Sequence, residues 1–266
     1  MINIVNVSFR YSPDKWVISD LNLKIAPLTW NIIAGPDGSG KTTLANLIKG
    51  ILKPQFGNII FSSANDMNRN EVAYIGGGYS TSVVGITVLD DICFGMENRC
   101  IPQSEMYKRV RNVLAWTGLE GFENRLTHTL SGGETQKLCL ANVLAVGAKV
   151  LILDESFSML DNSSRYETRV LIGDLKRALG LTVIEITNRS KDLDFADTIT
   201  FLDYSKQAKV YDSPNKFLSS PVGKQWLIPQ GGTQSLLNSF SSGNASEVIR
   251  LLRAVNIDLN QNGILI

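Results

Sequence analysis

The sequence has almost no excess charge, few cysteines and no long uninterrupted apolar run. Its formal net charge is +1, so its composition does not indicate nucleic acid or an anionic membrane surface as a partner, and we expect no nucleic-acid binding. The three cysteines, Cys93, Cys100 and Cys139, show no CxxC spacing. This spacing argues against a disulfide framework or a zinc site and favours a reducing cytosol.

Neither the most apolar stretch nor the N-terminal segment has the features of a membrane or export segment. Residues 138–153 are interrupted by Asn142 and Lys149, and the stretch is too short and too polar to span a bilayer. The first residues alternate apolar and polar, as a strand does, without a basic n-region or an apolar h-region. We therefore expect a chain that is soluble by itself and reaches a membrane only through a partner.

The composition and the pattern of apolar residues are typical of a folded α/β protein. The chain has 266 residues, of which 44% are apolar and 19% charged, which suits one large domain with or without a small appendage. The N-terminal part alternates like strands, and a helix is predicted from Lys41 to about Leu52. Residues 149–155 and 181–187 are predicted strands separated by a helix across 164–179. Strands that alternate with helices indicate a parallel α/β sheet.

The stretch GPDGSGKTT fits the pattern G-x-x-x-x-G-K-[ST] between a predicted strand and a predicted helix. Glycines let successive backbone N–H groups turn inward around an anion, and the helix N-terminus adds partial positive charge. Lys41 would reach the β- and γ-phosphates, and Thr42 would offer a hydroxyl to Mg²⁺. The alternative is a chance match in a glycine-rich turn. The predicted nucleotide-binding residues of this phosphate loop are Gly35, Pro36, Asp37, Gly38, Ser39, Gly40, Lys41, Thr42 and Thr43.

Two carboxylates end the apolar strand in KVLILDES, residues 149–156. Asp154 would hold Mg²⁺ through water, and Glu155 would polarise an attacking water as a general base. The alternative is an ordinary buried strand with polar residues at its end. The separation from the phosphate loop along the chain suits neighbouring strands, so we expect the two strands to be adjacent in one sheet.

A second anion-binding surface is predicted at LSGGETQK, residues 130–137. A Ser-Gly-Gly triplet that opens a helix presents a hydroxyl and bare backbone amides to an anion. The predicted contacts are Ser131, Gly132, Gly133 and Glu134. One nucleotide does not need two such surfaces from one chain, whereas two chains that face each other head to tail would use both.

The phosphate loop, LSGGE, LILDE and SMLD occur in the order and spacing of the ATP-binding cassette (ABC) ATPases, which the sequence resembles from its first strand to about residue 220. More narrowly, TVLDDICFGMEN, THTLSGGETQK and DESFSMLDNSSRYE are similar to the ATPase subunits of energy-coupling-factor and cobalt-type importers. The resemblance implies an α/β fold with a P-loop NTPase (RecA-like) core, an N-terminal antiparallel β subdomain and an inserted helical subdomain at about 96–148. It implies a nucleotide-binding domain at 1–220 and a small C-terminal region at 221–266, a possible dimer contact.

The resemblance also implies further site residues and ligands. Tyr11 matches the aromatic residue that stacks on adenine, with a half-buried aromatic at a strand end as the alternative. Asp161 matches the aspartate that contacts the opposite chain of the dimer, and residues 76–85 match the loop that receives the membrane subunit. ATP and Mg²⁺ are the implied cofactors, and the cytoplasmic face of the cell membrane is the implied location of a peripheral subunit.

Two positions depart from the pattern of the family. Gly77 stands where the family has a glutamine that senses Mg²⁺ and the attacking water, and Asn188 replaces its switch histidine. Asparagine can donate a hydrogen bond to a γ-phosphate, but it has no charge and relays no proton. The only histidine, His128, precedes TLSGGE and is predicted to be a surface or packing residue. With Glu155, Lys41 and Asn188 as the catalytic group, we expect intact ATP binding and weak hydrolysis at the chain's own site.

We interpret the chain as the ATP-binding subunit of an importer for a vitamin or metal ion, energised by ATP-driven dimer closure. Because LSGGE is intact while the chain's own site is weakened, a heterodimer with a paralogous ATPase is favoured over a homodimer. One alternative is a soluble ATPase of the same superfamily, although 266 residues leave no room for the coiled-coil insertion or second cassette that is usual there. The other is a non-hydrolysing nucleotide-binding module that assembles or regulates a complex.

Overall fold

Two β-sheets and a layer of helices form the part of the chain that the structure, a computed structural model, describes: residues 1–61, 69–77, 83–205 and 207–227. The strands are β1 (Ile2–Phe9), β2 (Ile18–Ile25), β3 (Trp30–Ala34), β4 (Phe56–Phe61), β5 (Val72–Gly76), β6 (Val150–Asp154), β7 (Thr182–Ile186), β8 (Thr198–Leu202) and β9 (Ala208–Tyr211). The helices are α1 (Lys41–Lys49), α2 (Val88–Glu97), α3 (Gln103–Thr117), α4 (Gly132–Ala145), α5 (Asn162–Leu179), α6 (Pro214–Ser219) and α7 (Pro221–Leu227).

The smaller sheet is antiparallel, with the strand order β2-β1-β4. The apolar residues of β2 alternate with exposed ones, so Leu21, Leu23 and Ile25 are buried on one face. That face packs in one cluster with Leu44 and Leu47 of α1, because a half-buried antiparallel strand must cover its apolar side. The predicted antiparallel N-terminal sheet is confirmed.

The larger sheet has the order β5-β6-β7-β3-β8-β9 and is parallel except for β9, which pairs antiparallel with β8. All residues of β6 and β7 are buried, as expected for strands that are covered on both faces. The predicted parallel α/β sheet is confirmed. The prediction that the phosphate-loop strand and the LILDE strand are adjacent is wrong, because β7 lies between β3 and β6. The crossover through α5 returns β7 to the sheet directly beside β6, on the side of β3.

Three helices, α2, α3 and α4, form a layer in which they pack mainly on one another. Helix α2 begins at Val88 with a capping box, in which Thr87 accepts from the Asp90 N–H and the Asp90 carboxylate accepts from the Thr87 N–H. This start precedes residue 96, where the inserted helical subdomain was expected to begin. The boundaries predicted for that subdomain, for 1–220 and for 221–266 stay predictions.

Local stop signals shorten α1 and close the described part of the C-terminal region. Helix α1 ends at Lys49 rather than near Leu52, since Gly50 adopts a left-handed φ of 89° and its N–H caps the last turn. In the C-terminal region, the Phe217 and Trp226 rings pack edge to face with their centroids 5.6 Å apart, which joins α6 to α7. Most of the predicted C-terminal region, from residue 228 on, lies outside the described residues. Within the described ranges, no helix combines the length and apolar character needed to cross a membrane.

Candidate functional site

The phosphate loop connects the buried strand β3 to helix α1 through glycines that no other residue replaces easily. Gly35 has a φ of 151°, and a Cβ there would lie 2.1 Å from the backbone oxygen of Leu202. Gly38 and Gly40 also have positive φ values, 76° and 104°, and Gly40 stands immediately before the first residue of α1. The loop therefore brings bare backbone and the N-terminus of α1 to one place, as the sequence pattern predicts.

Lys41 points back into the phosphate loop. Its Nζ donates to the backbone oxygens of Gly35 at 2.8 Å and Pro36 at 2.9 Å, and the residue is only 6% exposed. Burial lowers the pKa of Lys41, while the nearby carboxylates of Asp37, Glu155 and Asp154 act to raise it. The lysine thus lies within electrostatic reach of the carboxylates that end β6, although β7 intervenes in the sheet.

Asp154 is buried at the end of β6 and accepts a hydrogen bond of 2.8 Å from the Tyr74 hydroxyl. Burial raises the pKa of Tyr74, and the hydrogen bond to the Asp154 carboxylate raises it further. Glu155 is exposed and takes a φ of 50°, which turns the chain away from the sheet just after the strand. A Cβ on Gly77 would lie 3.2 Å from the backbone oxygen of Glu155 and 3.7 Å from that of Asp154, so position 77 packs against the backbone at the end of β6.

The residues predicted to hold magnesium fit that ion. The Thr42 residue is exposed in the first turn of α1, and Asp154 offers a carboxylate at the strand end. Mg²⁺ prefers hard oxygen ligands and usually completes its shell with water and substrate phosphates. In the described parts of the chain, no group of three or more His, Cys, Asp and Glu residues is placed to hold a metal. A magnesium bound here would therefore depend on phosphate oxygens and water as well as on Thr42 and Asp154.

Asn188 lies just after the end of β7. Because β7 lies between β3 and β6 in the sheet, Asn188 is close to the phosphate loop that follows β3. Its Nδ2 donates to Oδ1 of Asp37 at 2.7 Å, a contact between residues 151 positions apart in the chain. Asn188 and Glu155 also line a common cavity of about 230 Å³. The sequence placed Asn188 at the end of a strand, but it gave no signal for the bond to Asp37.

A buried ionic network supports the turn that contains Asn188, and sequence reasoning missed it. Arg169 of α5 contacts the carboxylates of Glu185 at 2.5 Å and Asp192 at 2.9 Å, and all three residues are almost fully buried. The Trp30 indole N–H donates to Glu185 at 3.0 Å. The Thr187 hydroxyl donates to Asp192 and accepts from the Arg189 N–H at 3.1 Å, so both chain neighbours of Asn188 are tied to this network. The available signal was the single acid in the otherwise apolar strand TVIEI, because a buried carboxylate needs partners.

The LSGGE segment forms the N-terminus of α4 and caps its own helix. Ser131 Oγ accepts from the Glu134 N–H at 3.3 Å, and Glu134 accepts from the Ser131 N–H at 2.7 Å. Arg125 forms an ion pair of 2.8 Å with Glu134. No hydrogen bond or ion pair among the described residues joins Ser131, Gly132, Gly133 or Glu134 to the phosphate loop. Their role toward a nucleotide stays a prediction.

Asp161 and Tyr11 are both exposed, and each makes a local polar contact. Asp161 is the N-cap of α5, where it accepts from the N–H groups of Ser163 at 2.9 Å and Ser164 at 3.0 Å. These hydrogen bonds, led by those of Ser164, lower the pKa of Asp161. Tyr11 is 65% exposed, and its hydroxyl lies 3.3 Å from Oγ1 of Thr43, so an aromatic face stands beside α1. Contact of Asp161 with another chain and of Tyr11 with adenine stay predictions.

The loop predicted to receive a membrane subunit is described only at its ends, because 78–82 lie outside the described residues. At its C-terminal end, the N–H groups of Val84 and Gly85 donate to Oδ1 of Asp91 at 2.7 and 2.8 Å. The other oxygen of Asp91 accepts from Asn142 of α4 at 2.6 Å. The buried Asp91 thus ties the end of this loop to the helix that begins at LSGGE.

Comparison with known proteins agrees with this arrangement. The family described as "ABC transporter" matches residues 18–158, slightly more than half of the chain. The chain belongs to the ABC transporter family. Among curated relatives, the energy-coupling factor transporter ATP-binding protein EcfA1 of Oceanobacillus iheyensis is 37% identical over 210 residues, covering 76% of this chain and 75% of the relative. EcfA1 of Ligilactobacillus salivarius is 38% identical over 213 residues, covering 77% of this chain and 76% of the relative.

The solved structures confirm the fold predicted from the resemblance. The structure of cbiO1 from Clostridium perfringens, described as part of the ABC transporter complex cbiONQ, has a TM-score of 0.75 and 26% sequence identity. The match covers 90% of this chain and 98% of that one. The P-loop NTPase core of this ABC family member is therefore confirmed, and so is its similarity to the ATPases of energy-coupling-factor and cobalt-type importers.

Proposed function

We propose that this ABC family member is an ATPase subunit that energises a membrane importer of the energy-coupling-factor type through ATP-driven dimer closure. The observation that carries the proposal is the separation of two predicted phosphate-binding surfaces within one chain. Lys41 of the phosphate loop interacts electrostatically with the carboxylates of Asp154 and Glu155, whereas Ser131 caps the helix that it begins. The names of the relatives support the importer class, and the transported vitamin or metal ion would be chosen by another subunit.

In this proposal the chain binds MgATP with its phosphate loop. Backbone N–H groups of the loop and the N-terminus of α1 hold the phosphates, and Lys41 contacts the β- and γ-phosphates. Thr42 through its hydroxyl and Asp154 through water would hold Mg²⁺, which would screen the phosphate charge when bound. Glu155 accepts a proton from the attacking water, and Tyr11 stacks on adenine.

Hydrolysis at this site is proposed to be slow, because this chain has fewer side chains that could position the attacking water and the γ-phosphate. Gly77 lies beside the backbone of Asp154 and Glu155 and has no side chain to hold a water. Asn188 offers one amide, and that amide is bonded to Asp37. Loss of one donor to the reacting charge typically costs about 100- to 1,000-fold in rate. Residual turnover is expected, since Glu155 remains as a base.

The partners follow from the same asymmetry. A paralogous ATPase is the favoured partner, because the chain's intact Ser131–Glu134 segment would complete that partner's site across the dimer together with Asp161. A membrane transport subunit would contact residues 76–85, and the complex would lie at the cytoplasmic face of the cell membrane. A homodimer is the alternative and would use the same surfaces.

The experiment compares two single substitutions in the purified complex. Lys41→Ala in this chain is expected to reduce total ATP hydrolysis less than the matching lysine substitution in the partner ATPase, each measured with the other subunit wild type. ATP binding by this chain should be lost in Lys41→Ala, since the lysine is the buried cation of the loop. Equal losses of hydrolysis from the two substitutions, or vigorous hydrolysis by this chain alone, would contradict the asymmetric site.

A non-hydrolysing regulatory module remains the second candidate function. Gly77 and the engagement of Asn188 with Asp37 favour it, since both weaken the chemistry while leaving the phosphate loop intact. Purification of this chain's partners through a tag on the chain distinguishes the two candidate functions. A membrane transport subunit in the complex supports the importer, and a complex made of non-membrane proteins alone supports the regulatory module.

A further inference from the structure

The phosphate loop contains a carboxylate at the place where a polyanion would bind. Asp37 is the third residue of GPDGSGKTT, and its side chain is 91% exposed. Its Oδ1 lies 3.8 Å from Nζ of Lys41 and 2.7 Å from Nδ2 of Asn188. The carboxylate therefore stands between the two side chains that the proposed function assigns to the γ-phosphate.

The chemistry of this arrangement opposes the third phosphate of ATP. A γ-phosphate needs donors, and Asp37 accepts from Asn188 while it attracts Lys41. The Oδ1 atom of Asn188 is buried and has no hydrogen-bond partner among the described residues, so the amide is oriented with its donor toward Asp37. The Asn188 amide has two N–H donors and one of them is held by Asp37, so a triphosphate that approaches this amide competes with the carboxylate and meets the charge of Asp37 at short range.

A diphosphate is affected less by the same carboxylate. The α- and β-phosphates bind mainly to the backbone N–H groups of the loop and to the helix N-terminus, which Asp37 leaves free. The backbone and the side chain of Asp37 thus have opposite effects on a bound nucleotide. The backbone belongs to the anion-binding loop, whereas the carboxylate competes with the γ-phosphate.

We propose that Asp37 is a specificity-determining residue that lowers the preference of this site for ATP over ADP by competing with the γ-phosphate for Asn188. The inference rests on the proposed function, since it takes the phosphate loop as the nucleotide site. It deepens that function by making the weakened site one that retains ADP nearly as well as ATP.

The test is equilibrium binding of two nucleotides to the full-length chain. The probes are the nonhydrolysable β,γ-imido analogue of ATP and ADP, each with Mg²⁺, titrated by calorimetry into wild type, Asp37→Asn and Asp37→Ser. Asparagine keeps the shape of the side chain without its charge, and serine removes the charge without adding an amide. Asp174→Asn is the matched control, because it removes one exposed carboxylate on α5, where Asp174 pairs with Arg177.

The expected result is a change in the ratio of the two affinities. Asp37→Asn and Asp37→Ser should each tighten binding of the ATP analogue by about tenfold, the size expected for removing one nearby like charge in partly screened surroundings. ADP affinity should change by no more than about twofold, and so should both affinities in Asp174→Asn.

Two different failures are distinguishable. If Lys41→Ala abolishes nucleotide binding but neither Asp37 variant raises the affinity for the ATP analogue relative to that for ADP, the role of Asp37 is overturned and the nucleotide site stands. If Lys41→Ala binds both nucleotides as wild type does, the proposed function itself is overturned, and the inference with it.

Discussion

The phosphate loop and the LSGGE segment are both glycine-containing helix N-termini, but the fold holds them in different ways. The phosphate loop is fixed by tertiary contacts: Gly35 approaches the backbone of Leu202, and Asn188 reaches Asp37. The LSGGE segment is held by its own capping box between Ser131 and Glu134. Apart from the backbone of its own helix, a Cβ on Gly133 would meet no heavy atom of the described residues within 4 Å, so the described part of the chain leaves this helix start open.

The difference indicates which half of a nucleotide site each loop supplies. A loop enclosed by its own strands can bind a ligand within one chain, because its donors and carboxylates already converge. A capped, open helix start needs a second surface to complete it. This contrast supports the head-to-tail dimer of the proposed function, and three experiments test it.

The largest effect is expected from the same substitution made in each loop. Gly35→Ala places a Cβ 2.1 Å from the Leu202 oxygen at a φ of 151°, so the backbone must move. We expect it to lower the free energy of unfolding by more than about 4 kcal/mol. Gly133→Ala, in the first turn of α4, should change it by less than about 1 kcal/mol, because alanine suits a helix and nothing is displaced. Urea unfolding measures both, and similar losses would contradict the contrast.

The second prediction concerns activity of the complex. Ser131→Arg puts a bulky cation at the open helix start and should reduce ATP turnover by the complex at least about 100-fold by blocking the partner's site. Binding of ATP by this chain itself should change by less than about twofold, since its own loop is untouched. Ser104→Arg, an exposed position in the first turn of α3, is the matched control and should retain activity. Full turnover with Ser131→Arg would count against the pairing.

The smallest effect tests the capping box through pH. The backbone hydrogen bond from Ser131 lowers the pKa of Glu134, and Arg125 adds to this shift. Because the folded state has the lower pKa, the carboxylate stabilises the fold above its unfolded pKa of about 4.3 and loses that contribution as pH falls through the folded value.

Glu134→Gln should therefore cost about 0.5 kcal/mol near neutral pH, a small value because the ion pair with Arg125 is partly exposed to solvent. The difference from wild type should shrink below about pH 4. Urea unfolding at several pH values gives the comparison, with Glu120→Gln in an exposed turn as the control. A difference that is constant down to about pH 3 would show that the charge of Glu134 does not contribute.

Much of the candidate site follows from the sequence because it depends on neighbours along the chain. The glycines and Lys41 of the phosphate loop, the strand that ends at Asp154, and the Ser131–Glu134 capping pair are short-range patterns with a direct physical meaning. The end of α1 at Gly50 was also available from sequence, since a glycine in the left-handed region stops a helix.

The strand order and the contacts between distant residues were decided only by the tertiary structure. Spacing suggested that β3 and β6 are neighbours, but the crossover through α5 inserts β7 between them. That insertion brings Asn188 to Asp37 and buries Glu185 beside Arg169 and Asp192. No local pattern encodes such pairs, because they depend on which strands share hydrogen bonds and on which helix covers them, and both are set by packing of the whole sheet.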